Sequence, residues 1–105
     1  MKWAKKLIYG EEASKKRTGY VMKLKMGKGI FGLYAIVVNS GSPNQIEIVH
    51  SKELMWKKYP KEDLTLIGLA KGLDEAYEVV EKLANRSFKV TGAYDLKSYV
   101  LEHMI

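Results

Sequence analysis

Residues 64–83, LTLIGLAKGLDEAYEVVEKL, decide the fold of this chain. The stretch starts as an almost unbroken apolar run, which is typical of a strand buried on both faces. It turns at Lys71 and Gly72 and continues with the periodicity of an amphipathic helix, which has Asp74 and Glu75 in its first turn. A buried strand followed by a helix that packs back on it predicts a domain in which helices cover a β-sheet.

Shorter elements on both sides of this unit complete the prediction. Strands are predicted at residues 3–9, 31–38 and 45–50, and the last two are expected to be antiparallel because a Gly- and Pro-containing turn joins them. Short helices are predicted at 52–58, capped by Ser51, and at 96–104, capped by Asp95. The element order is β-(α)-β-β-α-β-α-α. The sequence therefore predicts an α+β fold of one domain, residues 1–105, with about four strands and with helices on one face of the sheet.

Residues 11–26 allow two interpretations. As a helix, the segment has Glu11 and Glu12 at its start, lysines near its end and Gly27 directly after it, and all three features match the preferences of helix ends. As a strand, residues 20–26 alternate between two faces, and the glycines that follow make a hairpin turn. We favour the helix because its charge and capping signals agree with one another.

The second face of the predicted sheet needs a cover. Successive residues of the strands at 31–38 and 64–70 are apolar, so both faces of the sheet are apolar. Helices on one face alone would leave a contiguous apolar patch, which monomeric proteins rarely expose. Either residues 11–26 cross over to cover this face or a second copy of the chain does, so a homodimer is one of two expected arrangements.

The positive charge is concentrated at the start of the chain. Of the net charge of +6, the first 28 residues contribute nine Lys and Arg against two Glu, whereas the other 77 contain nine basic and ten acidic residues. Such an asymmetry indicates either a solvated basic surface or a polyanionic partner. A basic helix can follow a phosphate backbone, and Tyr20 can stack on a base. The candidate nucleic-acid-binding residues are Lys15, Lys16, Arg17, Lys23, Lys25 and Lys28.

No pattern of residues indicates catalysis, a metal or a cofactor. The chain has no cysteine, which excludes thiolate zinc sites, and His50 and His103 have no further ligand near them in sequence. Residues 27–32 match G-x-G-x-x-G, but a strand is predicted after them where the dinucleotide motif requires a helix. The turn at 68–72 precedes a helix whose acidic first turn would repel a phosphate. We therefore expect neither a catalytic residue nor a bound cofactor.

The remaining exclusions concern location and partner. No apolar run approaches the roughly 20 residues that span a bilayer, and the absence of cysteine favours the cytoplasm. The sequence therefore predicts a small non-enzymatic binding protein. Protein association is slightly favoured as its activity, and nucleic-acid binding is the alternative.

Residues 46–54, IEIVHSKEL, and 59–80, YPKEDLTLIGLAKGLDEAYEVV, resemble a group of small uncharacterised bacterial proteins. In that group an apolar strand, an A-K-G-like turn and a helix containing E-A recur, followed by T-G and a short last helix. Thr91-Gly92 and residues 95–100 fit that ending, so the resemblance covers about residues 29–99. It implies a basic helix at 11–26 and brings no activity with it.

Overall fold

The computed structural model describes residues 1–105 and contains four strands and five helices. The strands are β1 (Lys2–Tyr9), β2 (Leu33–Asn39), β3 (Glu47–His50) and β4 (Leu64–Lys71). The helices are α1 (Glu11–Lys15), α2 (Arg17–Lys25), α3 (Ser51–Leu54), α4 (Leu73–Thr91) and α5 (Leu96–His103). The sheet has the order β1-β4-β2-β3, in which β1 and β4 are parallel and the other neighbours are antiparallel. The α+β class and the predicted order of elements are confirmed, with the first helical segment divided in two.

Helices cover both faces of the sheet, so the prediction that they cover one face is wrong. On one face, α4 and α5 enclose a core of Ala4, Ile8, Ile36, Val38, Ile67, Ala70, Ala76, Val79, Leu83 and Val100. On the other face, α1, α2 and α3 enclose a core of Ala13, Leu24, Leu33, Ala35, Val37, Val49, Leu54, Leu64, Leu66 and Leu69. Because the chain itself covers the second apolar face, the reason for expecting a homodimer no longer holds.

The basic segment crosses to the second face directly after β1. Gly10 extends the pairing of β1, since its N–H donates to the backbone oxygen of Leu69 at 3.0 Å. Helix α1 then buries Ala13, and α2 buries Leu24. The helices are separate because Lys16 has φ −125° and ψ 25°, outside the helical region. The helical interpretation of residues 11–26 is therefore confirmed, and the strand interpretation is wrong.

The loop between α2 and β2 is held by the end of β3 and the start of α3. The N–H and the oxygen of Ile30 both bond to the buried hydroxyl of Ser51, at 2.9 and 2.7 Å. Ser51 is therefore not the predicted N-cap of α3, and His50 occupies that position. Phe31 lies in the loop and not in a strand, with 78% of its surface exposed. The other two end signals are confirmed: Gly27 follows the C-cap residue of α2, and Asp95 caps α5 by accepting from the N–H of Ser98.

The predicted bounds of two short elements were too wide. Strand β3 begins at Glu47 and not at residue 45, and α3 ends at Leu54 and not at residue 58. Only Leu54 of the predicted helix 52–58 is buried, so residues 55–58 have no fully buried side chain to hold another helical turn against the sheet. None of the five helices combines the length and the apolar character that crossing a bilayer requires.

Strand β4 contains one residue more than β2 opposite it. Ile36 pairs with Gly68 while Val37 pairs with Leu66, so Ile67 has no partner on β2. This β-bulge shifts the alternation of side chains, and Leu66 and Leu69, three positions apart, both enter the core under α1–α3.

Replacing Gly68 by alanine is expected to destabilise the protein by about 2 kcal/mol, a typical effect of overpacking. The added Cβ would lie 2.7 Å from Cγ2 of Ile8 and 2.8 Å from the backbone oxygen of Ile8. That oxygen belongs to the neighbouring strand and cannot move without disturbing the sheet. Urea unfolding measures the change, and an unfolding midpoint equal to that of the wild type would show that β1 adapts freely. Gly19→Ala is the control: its Cβ meets no atom within 4 Å, so the better helix propensity of alanine stabilises α2 by about 0.5–1 kcal/mol.

Candidate functional site

The junction of α1 and α2 forms a basic groove. The groove has a volume of about 580 Å³ and opens where the backbone leaves the helical conformation at Lys16. Its lining includes Ser14, Lys15, Lys16, Arg17, Tyr20 and Lys23. Four of the six basic residues that the sequence singles out are therefore brought together in one concave surface. We call this surface the basic groove.

The other two predicted residues lie outside the basic groove. Lys25 packs over the ring of Trp3, with its Nζ 5.4 Å from the ring centroid. Lys28 follows the end of α2, where its backbone N–H donates to the oxygen of Lys23 at 2.9 Å. Both side chains are exposed and add to the positive field around α2 without lining the groove.

The basic groove contains almost uncompensated positive charge. No aspartate or glutamate lines it, and the first turn of α2 has no acidic residue. Lys15 alone has an ion pair, with Glu12 at 3.0 Å, and this hydrogen-bonded carboxylate raises the pKa of the Lys15 amine. Lys16, Arg17 and Lys23 have no carboxylate within salt-bridge distance. The groove therefore presents three free cations and one paired cation to an anion.

The sheet separates two surfaces of different charge. Residues 11–28 and 51–63, which contain the helices of the second face, carry ten Lys and Arg against five Asp and Glu. Residues 73–105, which contain α4 and α5, carry four basic against six acidic residues. Only the face with the basic groove therefore has a positive excess, and this excess strengthens the local field of the groove.

A larger pocket adjoins the basic groove at Ser14, which lines both. The pocket has a volume of about 790 Å³ and lies between β1, α5 and the second half of α4. We call it the β1–α5 pocket. Its lining includes Lys5, Lys6, Arg86, Tyr99 and His103, none of which the sequence indicated as site residues. Arg86 lies on α4, and nothing in its sequence spacing linked it to β1.

A third concave surface contains two neighbouring carboxylates. Glu62 and Asp63 line a groove of about 610 Å³ together with Lys57, Lys58 and Lys61. Both carboxylates are exposed, so neither has the buried environment that shifts the pKa of a catalytic acid or base. In the same groove, partial burial raises the pKa of Tyr59, and the negative charges of Glu53 and Glu47 raise it further.

The two histidines lie in different elements and have different surroundings. Both ring nitrogens of His50 face backbone N–H groups, that of Gly32 at 3.0 Å and that of Lys52 at 3.1 Å. A neutral imidazole accepts at one nitrogen only, so only one of these contacts is a hydrogen bond. His103 lies at the end of α5, 3.9 Å from the Glu102 carboxylate. The chain has no group of three or more His, Cys, Asp or Glu side chains arranged to hold a metal ion.

The turn before α4 is occupied by a carboxylate of the protein itself. The Glu75 side chain accepts hydrogen bonds from the backbone N–H groups of Glu12 at 2.6 Å, Ala13 at 3.3 Å and Lys71. Glu75 is only 9% exposed and has no ion pair, so backbone amides supply all of its hydrogen bonds. Two amides of the turn at residues 68–72 are therefore already used, that of Lys71 by Glu75 and that of Gly72 by the backbone oxygen of Gly32 at 2.7 Å, and Glu75 attaches α1 to β4.

Comparison with known proteins finds no relative of this chain. No family model, curated protein or solved structure matches the chain. The resemblance to small bacterial proteins therefore stays a prediction.

Proposed function

We propose that this chain is a non-catalytic binding protein whose ligand is nucleic acid, held by its phosphates in the basic groove. The observation that carries the proposal is a concave surface lined by four cations and by no aspartate or glutamate. Neutralised phosphates release condensed counterions, and this release supplies most of the affinity for a polyanion. Nucleic-acid binding also accords with the cytoplasmic location that the cysteine-free sequence predicts.

Affinity for nucleic acid is expected to fall steeply as salt rises. If Lys15, Lys16, Arg17 and Lys23 each neutralise one phosphate of a single strand, log K should fall against log salt with a slope of about −3, because each contact contributes about −0.7. Fluorescence anisotropy of a labelled 12-nucleotide strand between 20 and 200 mM NaCl measures this slope. Absence of binding at 20 mM NaCl, or an affinity that salt does not change, would contradict the proposal.

Protein association is the second candidate, because α4 has a partly exposed apolar stripe. Leu73, Tyr77 and Phe88 are 43%, 58% and 48% exposed, and the ring of Phe88 stacks on that of Tyr94 at 4.8 Å. A homodimer or another protein partner would use this stripe, on the face opposite the basic groove. Light scattering coupled to size exclusion separates the candidates, since a mass of one chain at all concentrations removes the homodimer.

A further inference from the structure

The β1–α5 pocket combines an apolar floor with an aromatic wall. Leu7, Ile8 and Met104 are among its apolar lining residues, and the ring of Tyr99 lies 4.9 Å from that of His103 with 33° between the planes. Its volume of about 790 Å³ falls in the range of small-molecule sites. A planar, weakly polar group such as a nucleobase has the shape and the surface that this floor and wall bury best.

Cations surround the same pocket. Lys5, Lys6 and Arg86 line it, no aspartate or glutamate does, and none of the three has an ion pair. Lys5 and Lys6 reach this position because β1 departs from regular pairing there. Trp3 pairs with Leu66 and Ile8 with Gly68, so five steps along β1 match two along β4. The irregular segment between them carries both exposed lysines beside α5 and provides a position for an anionic group next to the apolar floor.

The pocket and the basic groove meet at Ser14, so one extended ligand can occupy both. We propose that the β1–α5 pocket receives one nucleotide, with its base against Tyr99 and the apolar floor and its phosphate on Arg86, Lys5 and Lys6. The inference rests on the proposed function and deepens it, because a strand whose backbone lies in the groove would place one nucleotide in the pocket. A base in a duplex is stacked and paired and cannot enter, so single strands bind more tightly than duplexes.

Tyr99→Leu tests the stacking contact. Leucine keeps an apolar side chain against the core and removes the ring, so we expect the affinity for a 12-nucleotide single strand to fall about tenfold, the effect of losing one base–aromatic contact. Affinity for the duplex of the same sequence should stay unchanged. Arg86→Gln should lower single-strand affinity about fivefold at 0.1 M salt and reduce the salt slope by about 0.7. Thermal unfolding by circular dichroism verifies that both variants are folded.

Phe31→Leu is the control, because Phe31 is an exposed aromatic residue outside both the pocket and the basic groove, and it should change neither affinity. Adenosine monophosphate is the second probe, titrated by NMR, and it distinguishes a free nucleotide from one within a strand. Tyr99-dependent binding of either probe supports the pocket. If wild type, Tyr99→Leu and Arg86→Gln all have the same affinity for the single strand, and all three also have the same affinity for adenosine monophosphate, the proposed pocket is wrong.

The two proposals fail in different ways. In one outcome, a strand binds wild type and Tyr99→Leu with equal affinity and still requires the cations of the basic groove. That result would contradict the proposal for the β1–α5 pocket and support the proposed function. Tyr99-dependent binding of adenosine monophosphate without any strand binding keeps the pocket and removes the function. Equal affinity of wild type for single strand and duplex also overturns the placement of one unstacked nucleotide in the pocket.

Discussion

Replacing Glu75 by alanine is expected to destabilise the protein by about 3 kcal/mol. The substitution removes three hydrogen bonds from backbone N–H groups to a charged acceptor, and each such bond contributes about 1.5–3 kcal/mol when its donor stays buried. Solvation of the freed N–H groups of Glu12 and Ala13, as α1 loosens, recovers part of this loss. Equilibrium unfolding in urea measures the change, and hydrogen exchange should show that α1 loses its protection first.

The carboxylate charge is expected to matter as well as the shape of the side chain. Glu75→Gln keeps the size but turns an amide NH₂ toward N–H donors, so we expect a loss of about 2 kcal/mol. Glu81→Gln is the control, because Glu81 is exposed on the same helix and has no ion pair, and its effect should stay within about 0.5 kcal/mol. If the free energy of unfolding of Glu75→Ala lies within about 1 kcal/mol of the wild-type value, the carboxylate does not hold α1 in place.

Gly10→Ala provides an independent test of the same contact. A Cβ at Gly10 would overlap the Glu75 side chain, which its three hydrogen bonds prevent from moving aside. The variant should therefore loosen α1 as Glu75→Ala does. In the double variant Gly10→Ala/Glu75→Ala the two losses should not add, because the overlapping group is gone.

Removing three cations of the basic groove is expected to lower nucleic-acid affinity about 100-fold at 0.1 M salt. Each phosphate contact with a single strand contributes about 0.7 to the slope of log K against log salt. Over the tenfold change from 1 M to 0.1 M salt, three contacts therefore supply about two log units of affinity, and Lys15→Ala, Lys16→Ala and Arg17→Ala together remove them. The salt slope should fall by about 2 in the same anisotropy experiment. Lys16 and Arg17 make no side-chain hydrogen bond, and the Lys15–Glu12 pair is exposed, so the variant should fold normally.

A second triple variant separates local contacts from total charge. Lys57, Lys58 and Lys89 are exposed lysines outside the basic groove and the β1–α5 pocket. Replacing them by alanine removes the same net charge, and the affinity should fall by much less than 100-fold because only the long-range field weakens. Equal losses in the two triple variants would mean that nucleic acid has no defined site on this protein.

The sequence predicted the cations of the basic groove but not those of the β1–α5 pocket. Lys15, Lys16 and Arg17 are adjacent in sequence, and that adjacency is what singled them out. A continuous helix would point neighbouring side chains in different directions, so the break at Lys16 is needed to bring them and Lys23 to one groove. Lys5 and Arg86 are 81 positions apart and line the same pocket only because α4 and α5 lie beside β1. No local pattern in the sequence encodes this arrangement, and for that reason the sequence did not predict the β1–α5 pocket.

The sequence by itself determined the strands β2 and β4 and the long helix α4, and it favoured a helix over a strand for residues 11–26, because apolar periodicity, glycine positions and end charges act within a few residues. It also determined that both sheet faces are apolar. Only the tertiary structure decided that α1 and α2 cover the second face, that β4 bulges at Ile67 and that Glu75 binds the amides of α1. Glu75 and Glu12 are 63 positions apart, and a contact at that separation depends on how the packed layers meet in space.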